Sequence, residues 1–266
     1  MILSAIISVI AGFLIGVLAG LLGIGGGMIL VVLFNVGYGM PALQSTGTTL
    51  FTVIPTSLSG SIAHIKGKTC ILGVGIASGI GGAMTSPLGV WLSSLSPEWL
   101  VLISCAMVIA YASVTMLRKA FALKKKVEED GQPDDPKDDS RYRFTKALAL
   151  KGVCIGLLTG VLSGYVGLGG GFIMIPLFMG ILKLPMKLTS GTSLIAVMIL
   201  AIPAAVTHAV MGNIDWLVGI CVSIGSIPGA IIGARLVKRV SELVLRFGFA
   251  IFLLVAAVLL AVKQFI

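Results

Sequence analysis

Charged side chains are scarce in this chain of 266 residues: they make up 11% of it, less than half the share that is usual in soluble domains. Apolar residues make up 57%, and there are 35 glycines in addition. A soluble core with a polar surface cannot be built from this composition, so we expect an integral protein that crosses the lipid bilayer several times. The net charge of +9 then indicates cytoplasmic loops and not nucleic-acid binding.

Residues that build catalytic or metal sites are also few. The four cysteines form no CxxC pair, and they stand at positions 70, 105, 154 and 221; we interpret them as packing residues. The chain has two histidines and no HExxH motif. So small a set leaves little from which to build an active site or a metal centre. We therefore expect neither an enzyme nor a cofactor. The N-terminus lacks a basic segment, so we expect no cleaved signal peptide.

The charges that are present cluster in one segment. Residues 118–151 hold ten of the 19 basic and seven of the 10 acidic side chains. The sequence Gly-Gln-Pro-Asp-Asp-Pro at 131–136 in its centre is typical of a flexible loop. We predict a charged cytoplasmic linker over 118–146, which joins a first membrane unit, 1–117, to a second one, 147–266.

The two units are related by an internal repeat with an offset of 144 residues. Gly12–Gly27 reads GFLIGVLAGLLGIGGG and aligns with Gly156–Gly171, GLLTGVLSGYVGLGGG. The alignment continues without a gap and places His64 on His208, although the chain has only these two histidines. Such a duplication is the usual architecture of secondary transporters.

Each unit contains four apolar stretches of about 20 residues, the length that crosses a bilayer. We predict them near 2–22, 44–64, 71–93, 99–117, 148–166, 188–209, 216–236 and 244–264. Each unit also has a short apolar piece, 28–38 or 172–182, directly after a glycine-rich stretch. Ten helical residues reach only ~15 Å, about half of the hydrocarbon core.

Whether the short pieces cross the membrane decides the topology. If they only dip in and return, each unit crosses four times and the units are parallel. If the glycines and the short helix cross together, each unit crosses five times and the units are inverted. In the inverted arrangement all basic residues except Lys263 lie on the cytoplasmic side, so the positive-inside rule favours it, with both termini outside. The predicted fold is an all-α polytopic membrane protein with two inverted-topology repeats, each with four long transmembrane helices and one short half helix.

The glycine-rich breaks are the most informative local feature. Glycine lets the backbone approach a ligand closely, and a helix start offers unpaired N–H donors at the positive end of its dipole. One such break suggests only a tight turn, but two symmetric breaks before half helices favour a shared anion site. A cluster of hydroxyls follows each short piece and suits both helix capping and ligand contact. The predicted substrate-binding residues are Gly25, Gly26, Gly27, Thr48, Thr49, Gly169, Gly170, Gly171, Thr192 and Ser193.

The two histidines each end the helix that begins with a hydroxyl cluster. Histidine in a membrane segment is a candidate proton relay. At the C-terminal end of a helix it more often caps carbonyl groups. We favour capping for His64 and His208, and we keep the relay as the alternative.

A family resemblance rests on several of these motifs together. They are GLLGIGGGMILVVLF at 20–34, the Pro-(x)5-Gly-Thr segments from Pro41 and Pro185, the histidines, and Gly-Asn-Ile-Asp-Trp at 212–216. The combination resembles the TauE/SafE sulfite-exporter family over essentially the whole chain. The resemblance implies a multi-pass carrier in a prokaryotic inner membrane for sulfur-containing anions such as sulfite or organosulfonates. Val32 stands where the second unit has Pro176, and 66–68 lacks the Asn-x-Asp of the second unit, which implies that the two units contribute unequally.

Three classes of function compete on this evidence. A secondary transporter accounts for the duplication, the broken helices and the scarcity of charge in the spans. An anion channel would need a continuous polar lining, which the long spans lack. An intramembrane enzyme lacks the residues for a catalytic site. We predict a transporter whose partners are a small anion and the lipid bilayer; the sequence leaves a homo-oligomer open.

Overall fold

The computed structural model describes the backbone of residues 2–130 and 145–265, which form helices and no strand. The ten α-helices are α1 (Ile2–Leu22), α2 (Gly27–Val32), α3 (Ala42–Gly67), α4 (Leu72–Leu95), α5 (Glu98–Asp130), α6 (Lys146–Val166), α7 (Gly171–Ile181), α8 (Met186–Val210), α9 (Trp216–Leu236) and α10 (Glu242–Phe265). A π-helical turn, Leu33–Gly37, continues α2 without a break. Every helix that the sequence predicts is present, so the prediction of an all-helical chain is confirmed.

The fifth helix is longer than the sequence predicted. We expected the membrane span to end at 117 and a linker to begin at 118, whereas α5 continues to Asp130. The charged residues in this stretch are mostly Lys and Glu, which favour helix, so polarity alone does not end α5. Helix α6 begins at Lys146, the last residue of the predicted linker. The glycine- and proline-containing centre of that linker lies outside the described residues.

Four of the described helical segments are long and apolar enough to cross a bilayer. They are Trp99–Lys125 of α5, and the whole of α6, α8 and α9. Helices α3 and α4 are equally long, with 26 and 24 residues, but serines, threonines and glycines make them less apolar. Most of these small polar residues face the protein interior.

The repeat in the sequence has a direct counterpart in the helix order. Helices α1 to α5 and α6 to α10 begin at equivalent positions, since each start in the second unit lies 144 residues after its counterpart. The bounds of α2 with its π-helical turn match those of α7 in the same way. The two units therefore have the same sequence of long and short elements.

The first helix of each unit packs against the fourth helix of the other unit. A Cβ atom built on Gly12, Gly16 or Gly20 of α1 would lie 2.2–2.3 Å from a carbonyl oxygen of α9. Cβ atoms built on the equivalent glycines of α6, at 156, 160 and 164, would lie 2.1–2.3 Å from carbonyl oxygens of α4. The small-residue ladders are thus packing surfaces that bring helix backbones into contact, and they interlock the two units.

The two equivalent helices α3 and α8 cross at the centre and run antiparallel. Gly47, near the start of α3, contacts His208 near the end of α8, while Gly191 at the start of α8 contacts His64 near the end of α3. Helices α5 and α10 are also antiparallel. Ser113 Oγ donates to the Ala250 carbonyl at 3.0 Å, and Arg246 Nη1 donates to the Lys119 carbonyl at 3.3 Å. The later residue of α5 thus contacts the earlier residue of α10.

Helices α1 and α3 run in the same direction. His64 Nε2 lies 2.9 Å from the carbonyl oxygen of Gly20, so the C-terminal ends of these two helices are together. The segment between them, 23–41, must therefore return along the whole length of α3. That segment consists of a glycine loop, α2 and its π-helical turn.

Candidate anion-binding site

Two glycine loops form the first part of the candidate site. Gly25 and Gly26 have φ angles of 75° and 83°, and the equivalent Gly169 and Gly170 have φ angles of 74° and 71°. In this left-handed region a Cβ atom meets the neighbouring carbonyl, so glycine is the residue that adopts it at little cost. The glycine pattern in the sequence is thus a requirement of the backbone at these turns.

The two loops touch each other in the middle of the molecule. A Cβ atom on Gly27 would lie 2.2 Å from the carbonyl oxygen of Leu168, and one on Gly171 would lie 2.8 Å from that of Ile24. Neither position tolerates a side chain, because backbone stands on the other side. The sequence predicted that these breaks converge, and the structure brings both loops together.

The helices after the loops begin without side-chain caps. Gly26 and Gly170 occupy the N-cap positions of α2 and α7 and have no side chain that could accept from the first turn. Among the described residues, no group accepts a hydrogen bond from the N–H of Gly25, Gly26, Gly169 or Gly170. Unpaired N–H groups at a helix start carry partial positive charge and suit an anion.

A stripe of side chains on α3 and its counterpart on α8 completes the surroundings of the loops. Val53 and Val197 both lie within 3.6 Å of the Cβ positions of Gly25 and Gly169. Thr49 and Ser57 stand one turn before and one turn after Val53, on the same face of α3. The Ser57 hydroxyl is 2.7 Å from the Cβ position of Gly25.

Three buried hydroxyl groups on the helices that surround the loops have no hydrogen-bond partner among the described residues. They belong to Thr49, Ser57 and Ser163. Ser163 Oγ lies 3.4 Å from the Cβ position of Gly170. A buried hydroxyl without a partner costs free energy, and Ser57 and Ser163 hold two such hydroxyls beside the unpaired N–H groups of the loops. The sequence prediction included Thr49 but missed Ser57 and Ser163.

The repeat explains why those two serines were missed. The residue equivalent to Ser57 is Ala201, and the residue equivalent to Ser163 is Ala19. A search for polar residues shared by the two units therefore passes over both. Only their contact with the glycine loops distinguishes them from the other serines of the spans.

Three of the predicted hydroxyls already hydrogen-bond within the protein. Thr48 Oγ1 accepts from the N–H of Asp215 at 2.9 Å, and Thr192 Oγ1 accepts from the N–H of Ile71 at 2.9 Å. Asp215 and Ile71 are the N-cap residues of α9 and α4, so each hydroxyl holds the start of a helix of the opposite unit. Thr192 also donates its proton to the Leu188 carbonyl at 2.7 Å.

The third of these hydroxyls is Ser193, which is equivalent to Thr49. Its Oγ lies 2.7 Å from the carbonyl oxygen of Gly23 and 2.9 Å from that of Ser190, so its proton is shared between the two. It holds the first glycine loop against α8. Ser193 and Thr192 thus fix the frame of the site, and neither has a proton left for a ligand in this conformation.

All ten residues predicted to bind substrate are buried, and the four hydroxyl side chains among them have 0% exposure. These ten residues are therefore enclosed within the protein in this structure. Within the described residues, no group of three or more His, Cys, Asp or Glu side chains could hold a metal ion.

The two histidines differ in their contacts. His64 Nε2 donates to the Gly20 carbonyl, and its Nδ1 lies 2.7 Å from the Thr69 hydroxyl. Gly20 is in the last turn of α1, so His64 bonds a carbonyl group at the end of a neighbouring helix and not at the end of α3, its own helix. His208 is equally buried, yet neither of its ring nitrogens has a partner among the described residues.

Comparisons with known proteins add the evolutionary context. The chain is 28% identical to the probable membrane transporter protein YunE of Bacillus subtilis over 244 residues, which cover 88% of this chain and 87% of that protein. It is 27% identical to YdhB of the same organism, with 88% and 91% covered. The probable membrane transporter protein MJ0441 of Methanocaldococcus jannaschii is 29% identical, with 67% and 62% covered. No solved structure gives a significant match.

The family model described as sulfite exporter TauE/SafE matches residues 8–260, which include both glycine loops and both histidines. These homologues, together with the apolar helices, identify a multi-pass membrane protein. The chain belongs to the sulfite exporter TauE/SafE family of membrane transporters.

Proposed function

We propose that this protein is a secondary transporter for small sulfur-containing anions, such as sulfite or organosulfonates. The substrate class rests on the family, whose description names sulfite export. The observation that carries the proposal is the meeting of the two glycine loops at the centre of the molecule, with unpaired N–H groups and three unpartnered hydroxyls around them.

The proposed mechanism is alternating access between two inverted repeats. Support comes from the antiparallel packing of α3 on α8 and of α5 on α10. When equivalent helices of two repeats run antiparallel, the axis that relates the repeats lies across the helices, hence in the plane of the membrane. The parallel direction of α1 and α3 agrees with this, because it requires the short segment 23–41 to cross back.

The proposed anion site lies between the loops. The N–H groups of Gly25, Gly26, Gly169 and Gly170 supply partial positive charge, and Thr49, Ser57 and Ser163 supply hydroxyl donors. Partial charges bind an anion more weakly than a buried arginine would, so the ligand can leave on the other side. The other predicted hydroxyls, those of Thr48, Thr192 and Ser193, position the helices and loops around it.

The closed site favours a carrier over a channel. A channel needs a continuous polar lining that is open to both sides, whereas the residues of the proposed site are enclosed by apolar side chains such as Val53 and Val197. A carrier that alternates between two openings passes through a closed conformation of this kind.

The test of the function is transport by the full-length protein in liposomes. We expect uptake of sulfite or an organosulfonate above that of protein-free liposomes, and much less uptake of chloride. The panel should include sulfite, thiosulfate, sulfoacetate and sulfate, each with and without a pH gradient. Equal rates for all anions, or none above the control, would contradict the proposal.

A pair of matched variants tests the site. Gly170→Asp introduces a carboxylate at the loop, and Gly170→Asn introduces a neutral side chain of the same shape. Both residues tolerate a left-handed φ better than most others. Like-charge repulsion in a low-dielectric site costs several kcal/mol, so Gly170→Asp should abolish anion binding, while Gly170→Asn should retain part of it. Equal binding by the two folded variants would place the anion elsewhere.

A further inference from the structure

A groove with a cationic rim lies between the C-terminal halves of α3 and α9. Its volume is about 420 Å³, and it is lined at one end by Lys66, Arg235 and Lys238 and further along by Ser59, Ile62 and Ile231. From Ser59 to Lys66 the groove follows two turns of α3, roughly 10 Å. One end is therefore strongly basic and the rest is mainly apolar.

The three cations of the rim are exposed and lack acidic neighbours in the described part of the chain. None of the side chains that line the groove is Asp or Glu, and none of the three cations forms an ion pair with a described residue. The Lys238 ammonium lies 4.0 Å from the Cβ position of Gly67, the last residue of α3. Three uncompensated positive charges at one spot indicate an anionic partner.

The repeat supplies an internal comparison for this groove. The equivalent surface lies between α8 and α4, where Val210, Trp91 and Ser94 occupy the positions of Lys66, Arg235 and Lys238. The equivalent helices α8 and α4 thus pack against each other without a cation at any of these three positions. Packing alone does not require the basic rim, so the rim points to a separate role.

We propose that this groove binds an anionic phospholipid, with the headgroup phosphate at the three cations and an acyl chain along Ile62 and Ile231. A ligand with one anionic end and one apolar tail matches both parts of the groove, whereas a small free anion would occupy only the rim. Basic residues near a membrane surface attract anionic lipids in this way. Lys66 belongs to the first unit and Arg235 and Lys238 to the second, so the bound lipid bridges the two units.

Native mass spectrometry of the full-length protein in a neutral detergent tests this proposal. The probes are phosphatidylglycerol and phosphatidylcholine with the same acyl chains. We expect tighter binding of phosphatidylglycerol. At about 1 kcal/mol for each basic residue near the headgroup, removing all three charges in the variant Lys66→Gln/Arg235→Gln/Lys238→Gln should weaken that binding roughly a hundredfold.

A second set of variants separates the groove from general attraction between charges. Lys68→Asn/Lys183→Asn/Arg239→Gln removes three cations outside the groove and should leave binding within about threefold of the original. Asn is used at Lys68 and Lys183 because both have a φ of 54°. Ala63→Trp keeps every charge but fills the groove, so it should weaken lipid binding even if the triple groove variant does not fold.

Four results would overturn the proposal. They are equal binding of the two lipids, equal losses in the two triple variants, normal binding by folded Ala63→Trp, and displacement of the lipid by inorganic phosphate at the lipid's own concentration. The last result would identify a small-anion pocket. None of these measurements involves transport, so their outcome is independent of the proposed substrate.

Discussion

Removing the Ser57 hydroxyl should separate ligand binding from protein stability. Ser57 Oγ is buried, lies 2.7 Å from the Cβ position of Gly25, and has no hydrogen-bond partner among the residues that the structure describes. If it donates to the substrate anion, Ser57→Ala removes a hydrogen bond to a charged group, about 1.5–3 kcal/mol. The dissociation constant for sulfite should then rise roughly tenfold to a hundredfold.

The same change should not lower the stability of the protein without ligand. No protein hydrogen bond is lost, and an unsatisfied buried hydroxyl disappears, so the free energy of unfolding should stay the same or increase. Alanine already stands at the equivalent position 201, which shows that the repeat accommodates it. The assay is the unfolding temperature of the protein in detergent, measured over a series of sulfite concentrations, since a ligand of the native state raises it with concentration.

Thr192→Val is the matched control, because its hydroxyl has partners within the protein. This change leaves the N–H of Ile71 without an acceptor, which should lower the free energy of unfolding by about 1–3 kcal/mol. Sulfite affinity should change little. The reasoning is refuted if Ser57→Ala keeps the original sulfite affinity, or if it destabilises the protein as much as Thr192→Val does.

Three further predictions concern packing, topology and proton coupling. Gly16→Ala should destabilise the protein by about 1–3 kcal/mol, because its Cβ would lie 2.3 Å from the Ser226 carbonyl oxygen. The control Gly248→Ala has nothing within 4 Å of its Cβ and should be neutral or stabilising in the same thermal assay. Similar losses of stability in the two variants would contradict the interlocked packing. In a cysteine-free background, we expect a single cysteine at Asn213 and one at position 140 in the linker to react with an impermeant thiol reagent from opposite sides of the membrane. Labelling of both from the same side would exclude inverted repeats. His208→Gln should leave the pH dependence of transport unchanged, because the His208 ring contacts no described proton carrier, and a lost pH dependence would instead identify a relay.

The helices were predictable because each depends on a local property of the sequence. Apolar stretches of about 20 residues gave the long helices, and the glycine-rich breaks marked where α2 and α7 begin. The end of α5 was predicted wrongly, since charge was used as a sign of a loop although Lys and Glu continue a helix well. The glycine ladders of α1 and α6 also depend on a local property, because small residues four apart share one helical face.

The composition of the candidate site was only partly predictable. The glycines at 25–27 and 169–171 were identified because both copies carry them, and the structure brings them together. Thr48 and Thr192 were chosen by the same reasoning, but their oxygens accept from backbone N–H groups of the opposite unit. A sequence shows that a hydroxyl is present, but the partner of that hydroxyl depends on which helix packs beside it.

The sequence by itself determined that this chain is a duplicated helical membrane protein with two glycine breaks, because composition, span length and a repeat are properties of the chain alone. The tertiary structure decided which helices of the two units contact each other. It placed α1 on α9 and α6 on α4, turned α3 and α8 antiparallel, and thereby set Ser57 and Ser163 beside the glycine loops. These contacts join residues far apart in the sequence, and no periodicity or spacing encodes them.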